Sequence, residues 1–254
     1  MSNIRVTYSG LISLATRLIS VSTGLIFTLI ITRTLTTDEF GTWGLISGLM
    51  IFGIFLTSTV EYWLIRETAR KENSGKTGII SSTILSSGGI MIFVILGFFV
   101  AEESNINHSI FVFAALLIPF TFINNSLSSV VHGFKPEGVS YAFLISEIIK
   151  LPIGLLFIYS LEMGIEGIII TIIISTISSS IILFCYGRNK LNTNIDFEYV
   201  KKWFKLSWIP IYRTLPHLLS LSDVVIFSMI TGAVSGVAYY VAARTIAILV
   251  NHTR

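Results

Sequence analysis

The sequence contains little charge and almost no cysteine. Only 12% of its 254 residues are charged, whereas soluble domains carry about 25%. Hydrophobic residues make up 53% of the chain, and the mean hydropathy is +0.81. This composition excludes an ordinary soluble domain and is typical of an integral membrane protein. The single cysteine, Cys185, excludes an intramolecular disulfide bond.

Recognisable catalytic motifs are also missing. The four histidines are scattered, with no HExxH motif, no triad order and no Cys/His spacing of a zinc site. A Walker loop is absent as well. The sequence therefore predicts no hydrolase or ATPase chemistry, no cofactor, no metal ion and no nucleic-acid partner. We expect a protein that is not an enzyme.

Eight hydrophobic segments follow one another closely along the chain. They are Leu11–Ile31, Thr42–Leu64, Ile79–Val100, Ile110–Val131, Tyr141–Leu161, Gly167–Tyr186, Leu206–Ile230 and Val234–Val250. A spanning helix needs about 20 residues, so the eighth segment is at the short limit. Continuous apolar runs exclude a transmembrane barrel, whose strands alternate apolar and polar residues. The sequence predicts an all-α polytopic membrane bundle of about eight transmembrane helices.

Basic and acidic residues occur in different connections. The N-terminus and the even-numbered connections contain most of the cations: Arg5, Arg66, Arg70, Lys71, Lys76, Lys135, Arg188, Lys190, Lys201, Lys202 and Lys205. The odd-numbered connections contain Arg33 and six acids: Asp38, Glu39, Glu102, Glu103, Glu162 and Glu166. Because basic loops stay on the cytoplasmic side, we expect a cytoplasmic N-terminus in a multi-pass protein of the cell membrane.

A longer connection predicts the domain organisation. Residues 187–205 form an amphipathic cytoplasmic linker, with four apolar residues on the membrane surface and Lys201 and Lys202 near headgroups; the four are Ile195, Phe197, Val200 and Phe204. Residues 1–186 then form a six-helix lobe, and residues 206–254 form the first two helices of a truncated second lobe.

An internal repeat supports this division. Arg17 precedes Gly41 by 24 residues, and Arg213 precedes Gly236 by 23 residues. Both arginines are followed in order by an apolar helix, a short outer loop, a glycine, an aromatic residue and the next helix. A six-span repeat unit is common in transporters, whose substrate sites lie between the repeats.

The seventh segment carries charge where hydrocarbon is expected. Arg213, His217 and Ser220 follow i, i+4, i+7 spacing and share one helix face. Pro216 removes a backbone hydrogen bond and predicts a kink. A charge at the bilayer centre costs about 2.5–3.5 kcal/mol on insertion scales, so we expect this face to border a polar cavity. Arg17 either snorkels from a seam of small residues or joins Arg213 in binding an anionic headgroup, which suits the guanidinium fork.

Opposite charges also occur close together in other segments. Glu147 and Lys150 at i, i+3 form either a self-neutralising structural pair or a cavity pair that exchanges partners. Asp223 either pairs with Arg244 or couples an ion gradient to transport, and Arg244 is then a cavity cation or only that partner. Glu61 is a further ion-coupling candidate, although its place near a span end favours an interfacial role.

The first odd-numbered loop contains two adjacent acids, Asp38 and Glu39. Acidic residues are favoured at a helix N-terminus, so capping is the better explanation. The alternative is a catalytic role, because membrane glycosyltransferases often have acidic residues in such loops.

The loop ITRTLTTDEFGTWGLI and the later stretch YWLIRETARK resemble the polysaccharide (Wzx-type) flippases of the multidrug/oligosaccharidyl-lipid/polysaccharide exporter (MOP) superfamily. That family's first loop reads Arg-x-Leu-Gly-Pro-x-x-Phe/Tyr-Gly, and the chain matches it except at Thr36 and Thr37. The matching residues are Arg33, Leu35, Phe40 and Gly41, with Arg66 after the second span. Further matches in the last two segments are Pro210, Asp223, Gly236, Tyr239, Ala242 and Ala243.

The resemblance implies translocation of a lipid-linked oligosaccharide by alternating access, without covalent chemistry. Its partners would be that substrate, membrane lipids and glycan-assembly enzymes. The substrate-binding candidates are Arg17, Arg213, His217, Lys150 and Arg244, and the ion-coupling or gating candidates are Asp223, Glu147 and Glu61. Relatives have twelve to fourteen spans in two lobes. The alternatives are a drug/cation antiporter of the same superfamily, a membrane glycosyltransferase or polymerase, and a fragment without transport of its own.

Overall fold

The computed structural model describes residues 6–70, 72–192 and 194–252, except for the side chains of residues 6, 7, 217, 220, 221, 246 and 248–252. Twelve α-helices make up most of this described part of the chain. They are α1 Val6–Thr34, α2 Thr37–Ile54, α3 Ser58–Ala69, α4 Gly75–Ser104, α5 His108–Ala114, α6 Leu117–His132, α7 Pro136–Gly154, α8 Gly164–Leu191, α9 Phe197–Lys205, α10 Trp208–Leu221, α11 Asp223–Thr231 and α12 Val234–His252. A 3-10 turn, Phe55–Thr57, joins α2 to α3, and a π-helical segment, Leu155–Ser160, extends α7.

Six helical stretches among the described residues are long and apolar enough to cross a bilayer. They are Tyr8–Thr34, Thr37–Ala69, Gly75–Ser104, His108–His132, Pro136–Ser160 and Gly164–Leu191. These stretches coincide with the first six hydrophobic segments. They confirm an all-α polytopic membrane bundle, in which every helix satisfies its own backbone hydrogen bonds.

The last two hydrophobic segments are also helical. The eighth forms the single helix α12, whereas the seventh is interrupted. The segment Leu206–Ile230 is divided into α10 and α11, which meet at Ser222. The helix continues through Pro216, where the sequence predicts a kink. The division instead coincides with Asp223, whose carboxylate accepts the backbone N–H of Val224 at 2.9 Å. Asp223 lies in the first turn of α11, where the helix dipole favours an acidic side chain.

The helix connections alternate between two ends of the bundle. At one end, the first, third and seventh connections meet around a cavity lined by Asp38, Asn105 and Val234. At the other end, the sixth connection contacts the start of α4, because the Asp196 N–H donates to the Thr77 hydroxyl at 3.0 Å. We name these the acidic end and the basic end, after the residues that the sequence places in their loops. The alternation agrees with the predicted topology, and the cytoplasmic position of the basic end stays a prediction from the positive-inside rule.

The linker helix α9 packs onto the basic end of the first lobe. Trp203 is 1% exposed and donates its indole N–H to Glu67 at 3.0 Å. Lys202 contacts the same carboxylate at 3.1 Å, and its side chain is still 47% exposed. Phe197 and Phe204 of α9 are exposed as well. The predicted contact of Lys202 and these two rings with the membrane surface stays a prediction.

We expect Glu67→Ala to release α9 from the first lobe. The substitution leaves the buried indole N–H of Trp203 without an acceptor, which costs about 1–3 kcal/mol. Trypsin should then cleave the linker faster, as followed by gel analysis of the detergent-solubilised protein. Glu198→Ala is the matched control, because Glu198 is an exposed acid on α9 itself. Equal cleavage rates in the two variants would contradict this docking role.

A stripe of glycines on α2 brings α11 and α12 against the first lobe. A methyl group at Gly41 would overlap the carbonyl oxygen of Val234, and one at Gly44 would lie 2.8 Å from a methyl carbon of Val241. Farther along α2, a methyl group at Gly48 would lie at the ordinary van der Waals distance of 3.4 Å from Val224 of α11. Small residues allow helices in membranes to approach closely. The stripe therefore determines how closely the last two helices pack on α2.

Gly41→Ala should loosen this packing, because its neighbour is rigid backbone rather than a flexible side chain. We expect a loss of about 1–3 kcal/mol, typical of overpacking, measured by thermal unfolding in detergent. Gly24→Ala is the control, since nothing lies within 4 Å of an added methyl group there. That variant should be neutral or slightly more stable. Equal melting temperatures for the two variants would show that the stripe is not a tight contact.

Candidate functional site

Lys150 and Glu147 of α7 form a buried ion pair inside the first lobe. The Lys150 ammonium lies 2.6 and 2.7 Å from the two carboxylate oxygens of Glu147. Their side chains are 17% and 9% exposed, respectively. The pair lines a cavity of about 390 Å³ between α1, α2, α6, α7 and α8, which we name the first-lobe cavity. The predicted i, i+3 pair is confirmed.

Polar groups from neighbouring helices surround this pair. Thr23 of α1 donates a short hydrogen bond to Glu147, and Ser180 of α8 donates to Asn124 of α6 at 3.1 Å. Five more hydroxyl side chains line the cavity: Thr28, Ser146, Ser175, Thr176 and Ser179. Hydrogen bonds of this kind offset the cost of removing two charges from water. The first-lobe cavity is therefore a polar site within an otherwise apolar bundle.

The backbone of α7 becomes irregular shortly after the ion pair. Pro152 has no N–H to donate, and the chain continues as the π-helical segment Leu155–Ser160. A methyl group at Gly154 would lie 2.8 Å from the ring of Phe27 on α1. Such π-helical turns are frequent at functional sites. The irregularity lies where Pro152 and Gly154 predict a bendable helix.

Asp223 and Arg244 form a second pair, at the junction of α2, α11 and α12. One guanidinium nitrogen of Arg244 lies 3.0 Å from the Asp223 carboxylate, and the Tyr240 hydroxyl donates to the same carboxylate at 2.8 Å. The predicted pairing is thus confirmed. Arg244 also lines a cavity of about 230 Å³ next to Gly44 and Ser47, which we name the junction cavity.

Helix α2 separates the two cavities. Trp43 lines the first-lobe cavity, whereas the next residue, Gly44, lines the junction cavity. A displacement of α2 would therefore change the walls of both charged sites together. This shared helix is the structural connection between the first lobe and the last two helices.

The structure does not bring Arg17 and Arg213 together with these two pairs. Both arginines are exposed, and within the described residues neither lines the first-lobe or junction cavity. Arg17 lies eleven residues after Val6, about 16 Å along the axis of α1. That position is well inside a candidate span. The His217 side chain lies outside the described residues, and the substrate-binding role of all three residues stays a prediction.

The helix that carries Glu61 is longer than the predicted segment. The predicted segment ends at Leu64, but α3 continues to Ala69, about 12 Å beyond Glu61. One carboxylate oxygen of Glu61 is buried and has no hydrogen-bond partner among the described residues. The interfacial position of Glu61 stays a prediction. Its ion-coupling role is still a prediction.

Glu39 serves as a helix cap, as its sequence position indicates. Its carboxylate accepts the backbone N–H of Thr36 at 2.9 Å, and the Thr36 hydroxyl accepts the Glu39 N–H at 3.3 Å. This reciprocal capping box begins α2. Among the described residues, no group of three or more histidine, cysteine, aspartate or glutamate side chains is arranged to hold a metal ion.

Sequence reasoning missed the neutral partners of the charged groups. Thr23 and Tyr240 are ordinary hydrophilic residues in apolar segments, and only the packing shows that they contact Glu147 and Asp223, respectively. The available signal was their presence in spans, where an unpaired polar group is costly.

Two solved structures share this fold. The first is an inward-facing multidrug resistance MATE family transporter of the MOP superfamily, with a TM-score of 0.64, 15% identity, and coverage of 94% of this chain and 61% of that chain. The second is a MOP superfamily transporter from Pyrococcus furiosus, described as having a binding pocket of reverse polarity. Its TM-score is 0.60 at 18% identity, and the match covers 94% of this chain and 59% of that chain. The chain has the MOP transporter fold and spans about three fifths of the length of these structures.

The family is shown by the sequence itself. Residues 30–254 match the model of the polysaccharide biosynthesis protein family, so the chain belongs to that family. A search of curated sequences finds no significant match. The family match and the shared fold both agree with the resemblance to the polysaccharide flippases of the MOP superfamily.

Removing one partner of the first-lobe pair should destabilise the bundle more than removing both. Glu147→Ala leaves the Lys150 charge buried and unpaired, which costs about 3 kcal/mol. The double variant Glu147→Ala/Lys150→Ala should recover much of that loss in a double-mutant cycle of thermal unfolding. Glu103→Ala, which removes an exposed acid at the acidic end, should have little effect. Additive single losses would rule out a direct coupling between the two charges.

Proposed function

We propose that this chain acts in a flippase that moves a lipid-linked oligosaccharide across the cytoplasmic membrane. One observation carries the proposal: a member of the polysaccharide biosynthesis protein family has the fold of a MOP superfamily transporter. A glycan built on a lipid carrier needs a protein that takes its polar headgroup through hydrocarbon. A transporter fold in a polysaccharide family suits that step, which requires no covalent chemistry.

The distribution of charge favours an anionic headgroup over a cationic drug. The described carboxylates Glu147 and Asp223 are each neutralised by a cation of the same or the next helix. Arg17 and Arg213 are exposed instead. Because an arginine directed at hydrocarbon is costly, we place them along the path of a phosphate or pyrophosphate, with His217 on the same helix face as Arg213.

In this proposal, the ion pairs of the first-lobe and junction cavities rearrange during transport. Lys150 and Arg244 would contact the substrate when they exchange their carboxylate partners for it, and Glu147 and Asp223 would then act as gating groups. Glu61, with its unpartnered oxygen, is the candidate for coupling to an ion. Helix α2 would transmit the change between the lobes as they rock about the junction.

The proposed orientation puts the basic end in the cytoplasm, where the lipid-linked substrate is assembled. The enzymes that assemble the glycan would then deliver it from that side. The glycosyltransferase alternative relies on Asp38 and Glu39, but the capping of α2 by one oxygen of Glu39 accounts for an acid at this place without catalysis.

Translocation is tested with the protein expressed from its complete gene and reconstituted in liposomes. A fluorescent lipid-linked oligosaccharide with the dye on the sugar is loaded in both leaflets, and a membrane-impermeant quencher reports headgroups that reach the outside. We expect Arg17→Gln/Arg213→Gln to slow this exposure at least about tenfold, since each lost charged hydrogen bond is worth about 1.5–3 kcal/mol.

Arg188→Gln is the matched control, because Arg188 is an exposed arginine of the basic end, and it should translocate normally. Unchanged transport in the double variant would remove the role of Arg17 and Arg213. Exposure no faster than in protein-free liposomes would overturn the flippase proposal itself.

A further inference from the structure

A second kind of cavity opens at the acidic end of the first lobe. It has a volume of about 690 Å³ and is lined by the end of α1, the start of α2, the π-helical segment and the turn before α8. We name it the acidic-end cavity. It is distinct from the first-lobe and junction cavities, and the proposed translocation mechanism makes no use of it.

The residues that line this cavity include an aromatic residue, hydroxyl residues, an arginine and two glutamates. Tyr159 is 66% exposed and lines the cavity together with Arg33, Glu39, Ser160 and Glu162. A flat aromatic face packs on the C–H face of a pyranose ring, while carboxylate and guanidinium groups bind neighbouring hydroxyls in pairs. A few placed polar groups around an apolar platform are typical of small-molecule sites.

The charge of this cavity selects against phosphate. Two carboxylates, Glu39 and Glu162, face a single cation, Arg33, so the lining carries a net negative charge. Like charges disfavour an anionic ligand. A neutral, hydroxyl-rich ligand meets no such penalty and can accept from Arg33 as well as donate to the acids.

The backbone holds this lining in an unusual conformation. Glu162 has a φ of 51°, in the left-handed region that non-glycine residues seldom adopt. Gly164 has a φ of 57°, and a methyl group there would lie 2.6 Å from a carboxylate oxygen of Glu39. The other Glu39 oxygen is bound in the capping box. The turn 161–164 is therefore fitted closely around Glu39, which holds that carboxylate at the cavity wall.

We propose that the acidic-end cavity is a saccharide-binding site for the neutral sugar part of the substrate, separate from the cations that bind its phosphate. The source of the sugar rests on the proposed flippase function, whereas the binding chemistry does not. With the acidic end outside, the site would receive the glycan as it emerges and oppose its return.

The test uses two water-soluble neutral probes, maltotriose and triacetylchitotriose, with the detergent-solubilised protein. Saturation-transfer NMR should detect binding of at least one probe, and glucose 1-phosphate should bind more weakly. Tyr159→Ala should weaken binding about tenfold, which is the scale of an aromatic contact, whereas Tyr159→Phe should retain it. Glu162→Gln should also weaken it, and it keeps the side-chain shape if Tyr159→Ala fails to fold.

Tyr239→Ala is the control, because Tyr239 is an equally exposed tyrosine on α12, with 72% exposure. This variant should bind the probes as the unchanged protein does. Tyrosines also anchor helices at membrane interfaces, and that role alone would lower stability in Tyr159→Ala without changing probe binding. This result, or no binding of either trisaccharide, would overturn the inference. Probe binding without liposome translocation would instead remove the flippase proposal and leave the saccharide site standing.

Discussion

The placement of charge in an apolar bundle constrains the rest of this structure. Each ion pair in the described spans is completed by neutral donors, as when Thr23 binds Glu147 and Tyr240 binds Asp223. Without them, a pair in low dielectric recovers less than it loses in hydration. The helices that bring these donors, α1 and α12, are therefore held in register with α7 and α11. Polar contacts of this kind specify one arrangement among many that apolar packing alone would allow.

Helix α2 gives that arrangement its functional interest. Its glycine stripe admits α11 and α12 at close range, while Trp43 on its other side faces the first-lobe cavity. A tight contact between small residues has few intermediate positions, because a shift of a methyl diameter either separates the helices or makes them collide. Such a junction suits rocking between two states, which is the movement that alternating access requires.

Much of the fold is readable from the sequence, and the reason is hydrophobicity. Six apolar segments became six candidate spans, and the acids and bases of the loops separated to opposite ends. The pair Glu147–Lys150 was readable because i, i+3 neighbours meet on any helix. Asp223–Arg244 was readable only as one of two alternatives, since it joins separate helices. The limits of the predicted segments have equally local causes: α3 runs past Leu64 to Ala69, and the seventh segment is divided at Ser222.

By itself the sequence determined the membrane class, the helical architecture and the family, because each depends on composition or on short motifs along the chain. Only the tertiary structure decided which charges share a cavity and that α2 separates the first-lobe cavity from the junction cavity. It also decided that Tyr159, Arg33 and Glu162 line one cavity at the acidic end of the bundle. The physical reason is that a span's periodicity shows which residues share a helix face, whereas the neighbour of that face is chosen by packing across distant segments.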